Sequence, residues 1–345
     1  MPIFTAPQLE KISAKIFEAV GTRKSIARKV SQSLVLSNLM GVDSHGVMRI
    51  PDYLDAIEAG WTEPNSEPEI VRENKVSVLM HGKNAFGQVV AQKAMKMAII
   101  KAKKQSVGIV SFTHIYHIGR LGEWAALASD QNLVGLVFAN GSRPGGLMAP
   151  YGSREKILGT NPLAFGIPAG SHPPLVADFS TAAVAEGKIR IAFHKGEKIP
   201  EGWIIDSQGH PSTNPADLYE QGALLPFGNH KGYALALLVE VIGGILSGAN
   251  TPIFPDYEQM HNGVFMLAID PNFFRPKKEY GRATDFLFSA IKRTLPAQGM
   301  KGALIPGEPE RKCWEKRSKS GIPIDDKTWG NIETSAHNVG IKLKL

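Results

Sequence analysis

Three side chains that could handle a proton and a carboxylate follow one another at intervals of four residues: His45, Arg49 and Tyr53. Four residues advance an α-helix by about 400°, so a helix here would place the three groups on one face. We expect such a helix over 44–60, with Ser44 as its N-cap and Pro51 straining its middle. A proton-exchanging imidazole beside a guanidinium suits chemistry on a hydroxy acid, and the alternative is a capped surface helix.

A further candidate follows the apolar run Val107–Phe112, which predicts a buried strand. Loops after the strands of open α/β sheets commonly carry ligand-binding residues, and His117 lies in such a loop. It could act as an acid–base group, or it could cap a helix or fill a turn. His114 stands three residues earlier, but no third ligand is apparent nearby, so we predict no metal site.

Glycine-rich segments give no standard nucleotide-binding signature. The G-x-G-x-x-G fingerprint is absent, since Gly141–Gly146 has a different spacing and Pro150 follows it closely. No G-x-x-x-x-G-K-[ST] phosphate loop occurs either. Gly228–Gly232 nevertheless opens a predicted helix over 232–246, where Lys231 could help to bind an anion or could simply be solvated.

Two polar side chains lie at the ends of apolar runs. Asn161 precedes one run, and Asp178 ends another. Such groups can hydrogen-bond a ligand, but they can equally satisfy the backbone of a loop.

The composition is that of a globular protein with a substantial core. The chain has 345 residues, of which 43% are hydrophobic and 21% charged. No apolar run approaches the ~20 residues of a membrane span. Met1–Thr5 shows no basic segment followed by an apolar one, so we expect no secretory signal. Cys313 is the only cysteine, which excludes an internal disulfide, and we expect a cytoplasmic protein.

The net charge of +7 arises from 39 basic and 32 acidic residues. The densest basic runs, Lys101–Lys104 and Arg311–Arg317, are short, and the second contains an acidic residue. Solvated helix faces explain them better than nucleic-acid binding does. A mildly positive field also suits anionic ligands such as a dinucleotide and a carboxylate.

Helices and strands alternate along the middle of the chain, which favours an α/β fold. Apolar periodicity predicts helices over 7–40, 87–104, 121–130 and 282–294, and strands over 70–72, 76–80, 107–112, 133–138, 163–168, 175–179 and 264–270. We expect a central mixed sheet flanked by helices, outside the Rossmann class, plus a helical part built from the two chain ends. The helical part would comprise 1–70 with 300–345, and the sheet part 71–299.

These motifs together resemble the malate/L-lactate dehydrogenase type-2 family, a nicotinamide-dependent group outside the Rossmann class. The resemblance covers nearly the whole chain and rests on these segments: Asp43–Gly46, Ala85–Val89, His117–Arg120, Leu158–Pro162, Gly187–Lys188, Pro200–Gly202, His230–Tyr233 and Pro306–Glu308. Leu224–Ala236 looks closest to the hydroxycarboxylate dehydrogenase B branch.

The resemblance implies a homodimer that binds NAD, with NADP as the alternative, in a groove near the subunit interface. His45 matches a histidine assigned as catalytic acid in the family, and His117 matches the proton acceptor of its ureidoglycolate branch. We predict these cofactor-binding residues: Ser44, Asp178, Phe179, Ser180, His230, Lys231, Gly307 and Glu308. Asn140–Pro144 differs among relatives, so no substrate contact is carried over to it.

The leading hypothesis is therefore hydride transfer between NAD(H) and a small 2-hydroxy or 2-oxo acid. His117 would be the acid–base group, His45 an orienting donor at a helix start, and Arg49 with Tyr53 would bind the substrate carboxylate. Alternatives on the same scaffold are an imino-acid reductase and a ureidoglycolate- or sulfolactate-type dehydrogenase. A non-catalytic dinucleotide-binding protein is a third possibility.

Overall fold

The computed structural model describes residues 1–141, 145–254 and 261–343. Strands, numbered along the chain, are β1 (Ile3–Phe4), β2 (Glu69–Glu73), β3 (Ser77–His81), β4 (Val107–Ile115), β5 (Val134–Ala139), β6 (Leu163–Ile167), β7 (Leu175–Phe179), β8 (Ile204–Ile205), β9 (Pro211–Ser212), β10 (Ala223–Leu224), β11 (Asn262–Ile269) and β12 (Ile322–Pro323). Helices are α1 (Ala6–Ala19), α2 (Lys24–Leu39), α3 (Ile50–Glu58), α4 (Gly87–Gln105), α5 (Leu121–Ser129), α6 (Glu186–Lys195), α7 (Ala216–Tyr219), α8 (His230–Val239), α9 (Lys277–Lys292), α10 (Glu308–Ser320) and α11 (Asp326–Asn338).

A mixed sheet forms the centre of the fold. Within the described ranges it has seven strands in the order β2-β3-β4-β11-β5-β6-β7, in which β3 and β4 are parallel and the other neighbours antiparallel. Helices α4 and α5 pack against the sheet and against each other. Gly135 and Gly166 allow the close approach of α5, because a Cβ at either position would lie within 2.8 Å of the Ala125 carbonyl oxygen. This architecture confirms the predicted α/β class with a central mixed sheet flanked by helices.

The order of the sheet differs from the simplest interpretation of the strand–helix–strand pattern. The predicted strands β4 and β5 and the helix α5 between them are all present. The two strands are nevertheless not neighbours, because β11 lies antiparallel between them. Val264–Ile269 of β11 pairs with Val107–Phe112 on one side and with Val134–Ala139 on the other.

The two chain ends pack into one hydrophobic cluster. Buried side chains of α1, α2 and α3, among them Phe17, Leu34 and Tyr53, join Ile322 and Trp329 from the C-terminal segment. Strand β1 pairs antiparallel with β12, and the rings of Phe4 and Trp329 lie 4.5 Å apart. A separate hydrophobic cluster surrounds the small sheet β10-β8-β9 and includes side chains of α6 and α8.

The predicted helix over 44–60 is wrong. The chain forms two short 3₁₀ turns, Asp43–His45 and Val47–Arg49, separated by Gly46 in extended conformation (φ −90°, ψ −154°). Asn38 holds this break, because its Oδ1 accepts a hydrogen bond from the Val47 N–H at 2.8 Å. The α-helix begins only at Ile50, so Pro51 lies in its first turn and does not strain its middle.

The helix predicted over 232–246 begins at His230 and changes character at its end. Its first part is α8, and Glu240–Ile245 continue it as a π-helix. No helix in the described ranges is long and apolar enough to span a membrane.

Candidate active site

A cleft of about 1170 Å³ lies between the N-terminal helical segment and the loops that follow β4, β5 and β7. Its walls bring together most of the residues that the sequence singles out: Ser44, His45, Arg49, Tyr53, His117, Asp178, Phe179, Ser180 and Gly307. Although the 44–60 helix does not exist, the three side chains spaced by four residues still line the same cavity.

His45 and His117 form the centre of this cleft. Their rings stack with centroids 5.4 Å apart and an angle of 29° between planes. His45 comes from the first 3₁₀ turn, and His117 lies between β4 and α5, two residues beyond the strand. The Ser44 hydroxyl lies 3.0 Å from Nδ1 of His45, so Ser44 orients the ring that it precedes.

A hydrogen-bond chain fixes His117. The Tyr53 hydroxyl lies 2.7 Å from Nδ1 of His117 and accepts a hydrogen bond from Nε2 of Gln88 at 2.6 Å. The backbone N–H of Gly119 also donates to Nδ1 of His117, at 3.3 Å. With Nδ1 engaged on the protein side, Nε2 is the nitrogen left for a ligand. Gln88 lies in the Ala85–Val89 segment but was not identified from the sequence as a partner of the site.

Both histidines are neutral at pH 7. Burial, followed by the charges of Arg49 and Arg120, lowers the pKa of His45 to about 4. Burial, Arg49 and His45 lower the pKa of His117 well below its usual value. The sequence placed His45 at a helix start, but His45 instead closes a 3₁₀ turn, so the dipole of an α-helix does not explain its low pKa. The physical causes are desolvation and two nearby guanidinium groups.

Part of the Arg49 guanidinium already binds residues of its own segment. Its Nε donates to the Ser44 carbonyl oxygen at 2.8 Å, and Nη1 pairs with Asp52 at 2.7 Å. Arg49 therefore braces the turn that carries His45, and its Nη2 edge remains for a ligand.

The opposite wall of the cleft comes from β7 and the segment after it. Oδ2 of Asp178 accepts the backbone N–H of Gly122 at 2.7 Å, and burial raises the pKa of this carboxyl. The Phe179 ring packs edge-on against Phe227 at 5.9 Å. The Ser180 hydroxyl donates to the Thr160 carbonyl oxygen at 2.9 Å.

Asn161 hydrogen-bonds the backbone of a loop, which is one of the two roles considered from the sequence. Its Oδ1 accepts the Gly141 N–H at 2.9 Å, and its Nδ2 donates to Glu240 at 2.7 Å. Asn140 also donates to Glu240, so one buried carboxyl of the π-helix supports the Asn140–Gly141 edge of the cleft. Ser142–Pro144, where no substrate contact could be carried over, lie outside the described residues.

Three predicted cofactor-binding residues do not line the cleft. His230 and Lys231 are exposed in the first turn of α8, where His230 faces Tyr151 at 6.0 Å between ring centroids. Glu308 pairs with Lys292 at 2.8 Å, beside Gly307, which does line the cavity.

His114 and His117 face different surroundings. His114 lies within β4 and stacks on His81 at 3.9 Å and near His261 at 4.9 Å. Across the described part of the chain, no group of three or more His, Cys, Asp or Glu residues is arranged to hold a metal ion.

Known proteins match this chain over nearly its whole length. The sequence profile of the malate/L-lactate dehydrogenase family matches residues 4–333. The L-sulfolactate dehydrogenase of Methanocaldococcus jannaschii is 36% identical over 343 residues, covering 97% of this chain and 96% of the relative. Hydroxycarboxylate dehydrogenase B of Escherichia coli is 35% identical over 345 residues, covering 98% and 94%.

Solved structures agree with these matches. The malate dehydrogenase of Entamoeba histolytica superimposes with a TM-score of 0.93 at 28% identity, over 100% of this chain and 99% of that one. Relatives with related names thus share both sequence and fold with this chain over nearly its full length. The chain belongs to the malate/L-lactate dehydrogenase family.

Proposed function

We propose that the protein transfers hydride between a nicotinamide dinucleotide, NAD(H) rather than NADP(H), and a small 2-hydroxy or 2-oxo acid. The observation that carries this proposal is the stacked His45–His117 pair, with Tyr53 behind it, in a cleft that also contains guanidinium groups. These are the groups that proton transfer at an alcohol or carbonyl oxygen next to a carboxylate requires.

The cleft offers a wall that fits a dinucleotide. Asp178, Phe179 and Ser180 line it together with Gly307, whose φ of +93° and closeness to the Val176 backbone disfavour any side chain. A Cβ at Gly307 would lie 3.1 Å from the Val176 carbonyl oxygen. We propose that these residues hold the cofactor outside a Rossmann fold, which agrees with the missing G-x-G-x-x-G fingerprint. When bound, the cofactor supplies or accepts the hydride.

His117 exchanges the proton in this proposal. In reduction, protonated His117 gives its Nε2 proton to the oxygen of the reacting carbonyl, and in oxidation neutral His117 takes the proton back. In both of these states Nδ1 carries a hydrogen, which the Tyr53 hydroxyl accepts. The Gly119 N–H donates to Nδ1 only in the other neutral tautomer, in which Nε2 carries the hydrogen. His45, oriented by Ser44, donates to or orients the substrate from the stacked position.

Arg49 binds the carboxylate of the substrate through its free Nη2 edge. An anion there offsets the positive charge that lowers the pKa of both histidines. Substrate binding therefore makes protonation of His117 easier at the moment when the proton is needed.

We also propose a homodimer. His230 and Lys231 lie outside the cleft although they match cofactor-binding positions of the family, which fits a groove that continues across a subunit interface. Helix α8, which begins with these two residues, also exposes apolar side chains.

The test is an assay of the purified protein with NADH or NADPH and a panel of 2-oxo acids, followed by absorbance at the reduced-cofactor band. We expect turnover of at least one 2-oxo acid, faster with NADH than with NADPH. Turnover of a cyclic imino acid alone would favour the imino-acid reductase. Cofactor binding without turnover of any panel member would contradict the enzyme and favour a binding protein.

A further inference from the structure

Arg317, in the last turn of α10, binds the back of the turn that carries His45. Its Nη1 and Nη2 donate to the two carboxylate oxygens of Asp43, at 2.7 and 3.0 Å. Nη1 also donates to the carbonyl oxygen of Asn38, near the end of α2. Arg317 does not line the cleft, so it contacts the site only through these residues. A two-pronged pair of this kind fixes the orientation of both partners.

Asn38 extends this contact to the backbone on the other side of His45. Its Nδ2 donates to Oδ1 of Asp43 at 2.6 Å, and its Oδ1 accepts the Val47 N–H at 2.8 Å. A Cβ at Gly46 would overlap the Asn38 side chain, so the chain passes this close because position 46 is glycine. His45 therefore lies midway between two residues that are hydrogen-bonded to one network, and Arg317 is the member of that network from outside the N-terminal segment.

The packing of α10 brings Arg317 to this position. Cys313 lies one helical turn earlier on the same face of α10 and contacts the loop between α2 and the 3₁₀ turns. A Cβ at Gly41, whose φ is +78°, would lie 2.8 Å from Sγ of Cys313. At its other end α10 follows Gly307, and both Gly307 and Glu310 line the cleft. One helix thus connects a wall of the cleft with the back of the His45 turn.

We propose that Arg317 is a positioning residue for His45: through Asp43 it fixes the 43–47 turn, and with it the ring that stacks on His117. The stack, with centroids 5.4 Å apart, requires a defined place for the His45 ring. Because Arg317 does not face the cavity, it acts on the rate of the reaction and not on substrate affinity. This inference rests on the proposed function for the role of His45. The alternative is an ion pair that only joins the two chain ends.

The kinetic test measures NADH oxidation with the 2-oxo acid that the unaltered protein reduces fastest. Arg317→Gln should lower kcat about 10- to 100-fold and change KM less than about threefold, since a displaced reacting group loses mainly rate. Arg317→Lys should lie between, because it keeps the charge but not the fork. An unchanged kcat in Arg317→Gln would overturn the proposal, and so would a loss confined to KM.

Arg23→Gln is the matched control. Nη2 of Arg23 donates to Oε1 of Glu67 at 3.0 Å and to the carbonyl oxygen of Asn65 at 2.7 Å, at the start of α2. Like Arg317, it thus binds one carboxylate and one backbone carbonyl, but away from the 43–47 turn. Its kcat should equal that of the unaltered protein. A fall in kcat of the same size as in Arg317→Gln would show a general effect of lost ion pairs and overturn the proposal.

A second readout needs no turnover. Burial, Arg49 and Arg120 lower the pKa of His45 to about 4. In Arg317→Gln the loosened turn should admit water to the ring, so the pKa of His45 should rise by at least about one pH unit and that of His117 by less. Nitrogen NMR of the imidazole rings follows both titrations, and the His45 signal is the one missing in His45→Gln. A raised pKa of His45 supports the inference even if no 2-oxo acid is reduced, whereas an active protein with an unchanged His45 pKa overturns it alone.

Thermal unfolding identifies a merely structural role. Arg317→Gln should melt within about 5 °C of Arg23→Gln, since each variant loses one ion pair and one hydrogen bond to a carbonyl. If Arg317→Gln does not fold, Arg317→Lys carries the same kinetic and NMR measurements. A folded Arg317→Lys protein with the kcat and the His45 pKa of the unaltered protein, beside an unfolded Arg317→Gln, would assign Arg317 to the fold and overturn the proposal.

Discussion

At the scale of single residues, the site depends on which nitrogen of His117 faces the ligand. Tyr53 and Gly119 occupy Nδ1, so Nε2 is left to exchange the proton. The sequence placed His117 in a loop after a strand but could not supply this orientation. Tyr53 and Gln88, which create it, are 64 and 29 residues away along the chain, and Tyr53 was assigned to the substrate carboxylate.

The lowered histidine pKa values predict how the reaction responds to pH. Reduction needs protonated His117, whose pKa lies well below 6.5, so its kcat/KM should fall about tenfold per pH unit between pH 6 and 8. Oxidation needs the neutral ring, so its kcat/KM should show no inflection from His117 over the same range. Initial rates in both directions across this range provide the measurement, and a plateau below about pH 6.5 in reduction would contradict the lowered pKa.

Two substitutions separate the roles of the histidines in the same profiles. His117→Gln should remove the pH dependence of reduction, while His45→Gln should lower the rate and keep the slope. His337→Gln, on the exposed last turn of α11, is a control that should change neither. If the two active-site variants behave the other way round, the roles of His45 and His117 are exchanged.

At the scale of elements, local sequence predicted most helices and strands but not the relations between them. Helices α1, α2, α4 and α5 and strands β2 to β7 follow from apolar periodicity, which is a local property. The insertion of β11 between β4 and β5 pairs residues more than 120 positions apart, and no local pattern encodes it. The break at Gly46 depends on the Asn38 side chain from α2. The spacing of His45, Arg49 and Tyr53 alone therefore predicted a helix that begins too early.

Arg120 shows the same limit within the site. It was visible as part of the His117–Arg120 segment, but an arginine in a sequence carries no sign of whether it will be paired. Its burial, and an Nε that has no hydrogen-bond partner among the described residues, are properties of the packed α5 N-terminus. Spacing suggested Arg49 as the carboxylate clamp, and the structure shows that much of that guanidinium already braces its own turn.

The contact between α5 and α2 contains a carboxyl that makes stability depend on pH. Ser33 of α2 donates to Oε2 of Glu123 at 2.6 Å, and burial raises the pKa of Glu123 from 4.5 to about 7. The unfolded chain ionises this group above pH 4.5 while the folded one keeps it protonated. Its contribution to stability is therefore present below pH 4.5 and is lost as the pH rises to about 7.

Glu123→Gln tests this dependence, because glutamine keeps an oxygen for Ser33 and cannot ionise. Relative to the unaltered protein, the variant should gain up to about 3 kcal/mol in free energy of unfolding at pH 8 and little at pH 4.5. Urea unfolding at both pH values gives the comparison. Glu58→Gln, at the exposed end of α3, should show no such difference, and a gain that does not depend on pH would refute the raised pKa.

At the scale of the whole molecule, the cleft is assembled from distant parts of the chain. His45 and Arg49 come from the cluster that unites the two chain ends, whereas His117 and Asp178 come from the central sheet. We retain as a proposal the division into 1–70 with 300–345 and 71–299.

The α8 face provides the last prediction, which concerns assembly. Leu237, Leu238, Val241, Ile245 and Leu246 are 39% to 59% exposed and follow one another along α8 and the π-helix. Contiguous exposed apolar groups of this kind mark an interface, and burying them against a second copy of the chain would stabilise a dimer.

We expect a dimer by light scattering after size exclusion. Val241→Glu should convert it to a monomer with at least about tenfold lower activity, since His230 and Lys231 would lose their partner groove. Leu295→Glu changes a leucine that is 93% exposed elsewhere and should leave the dimer intact. A dimer that persists in Val241→Glu would place the interface on another face of the molecule.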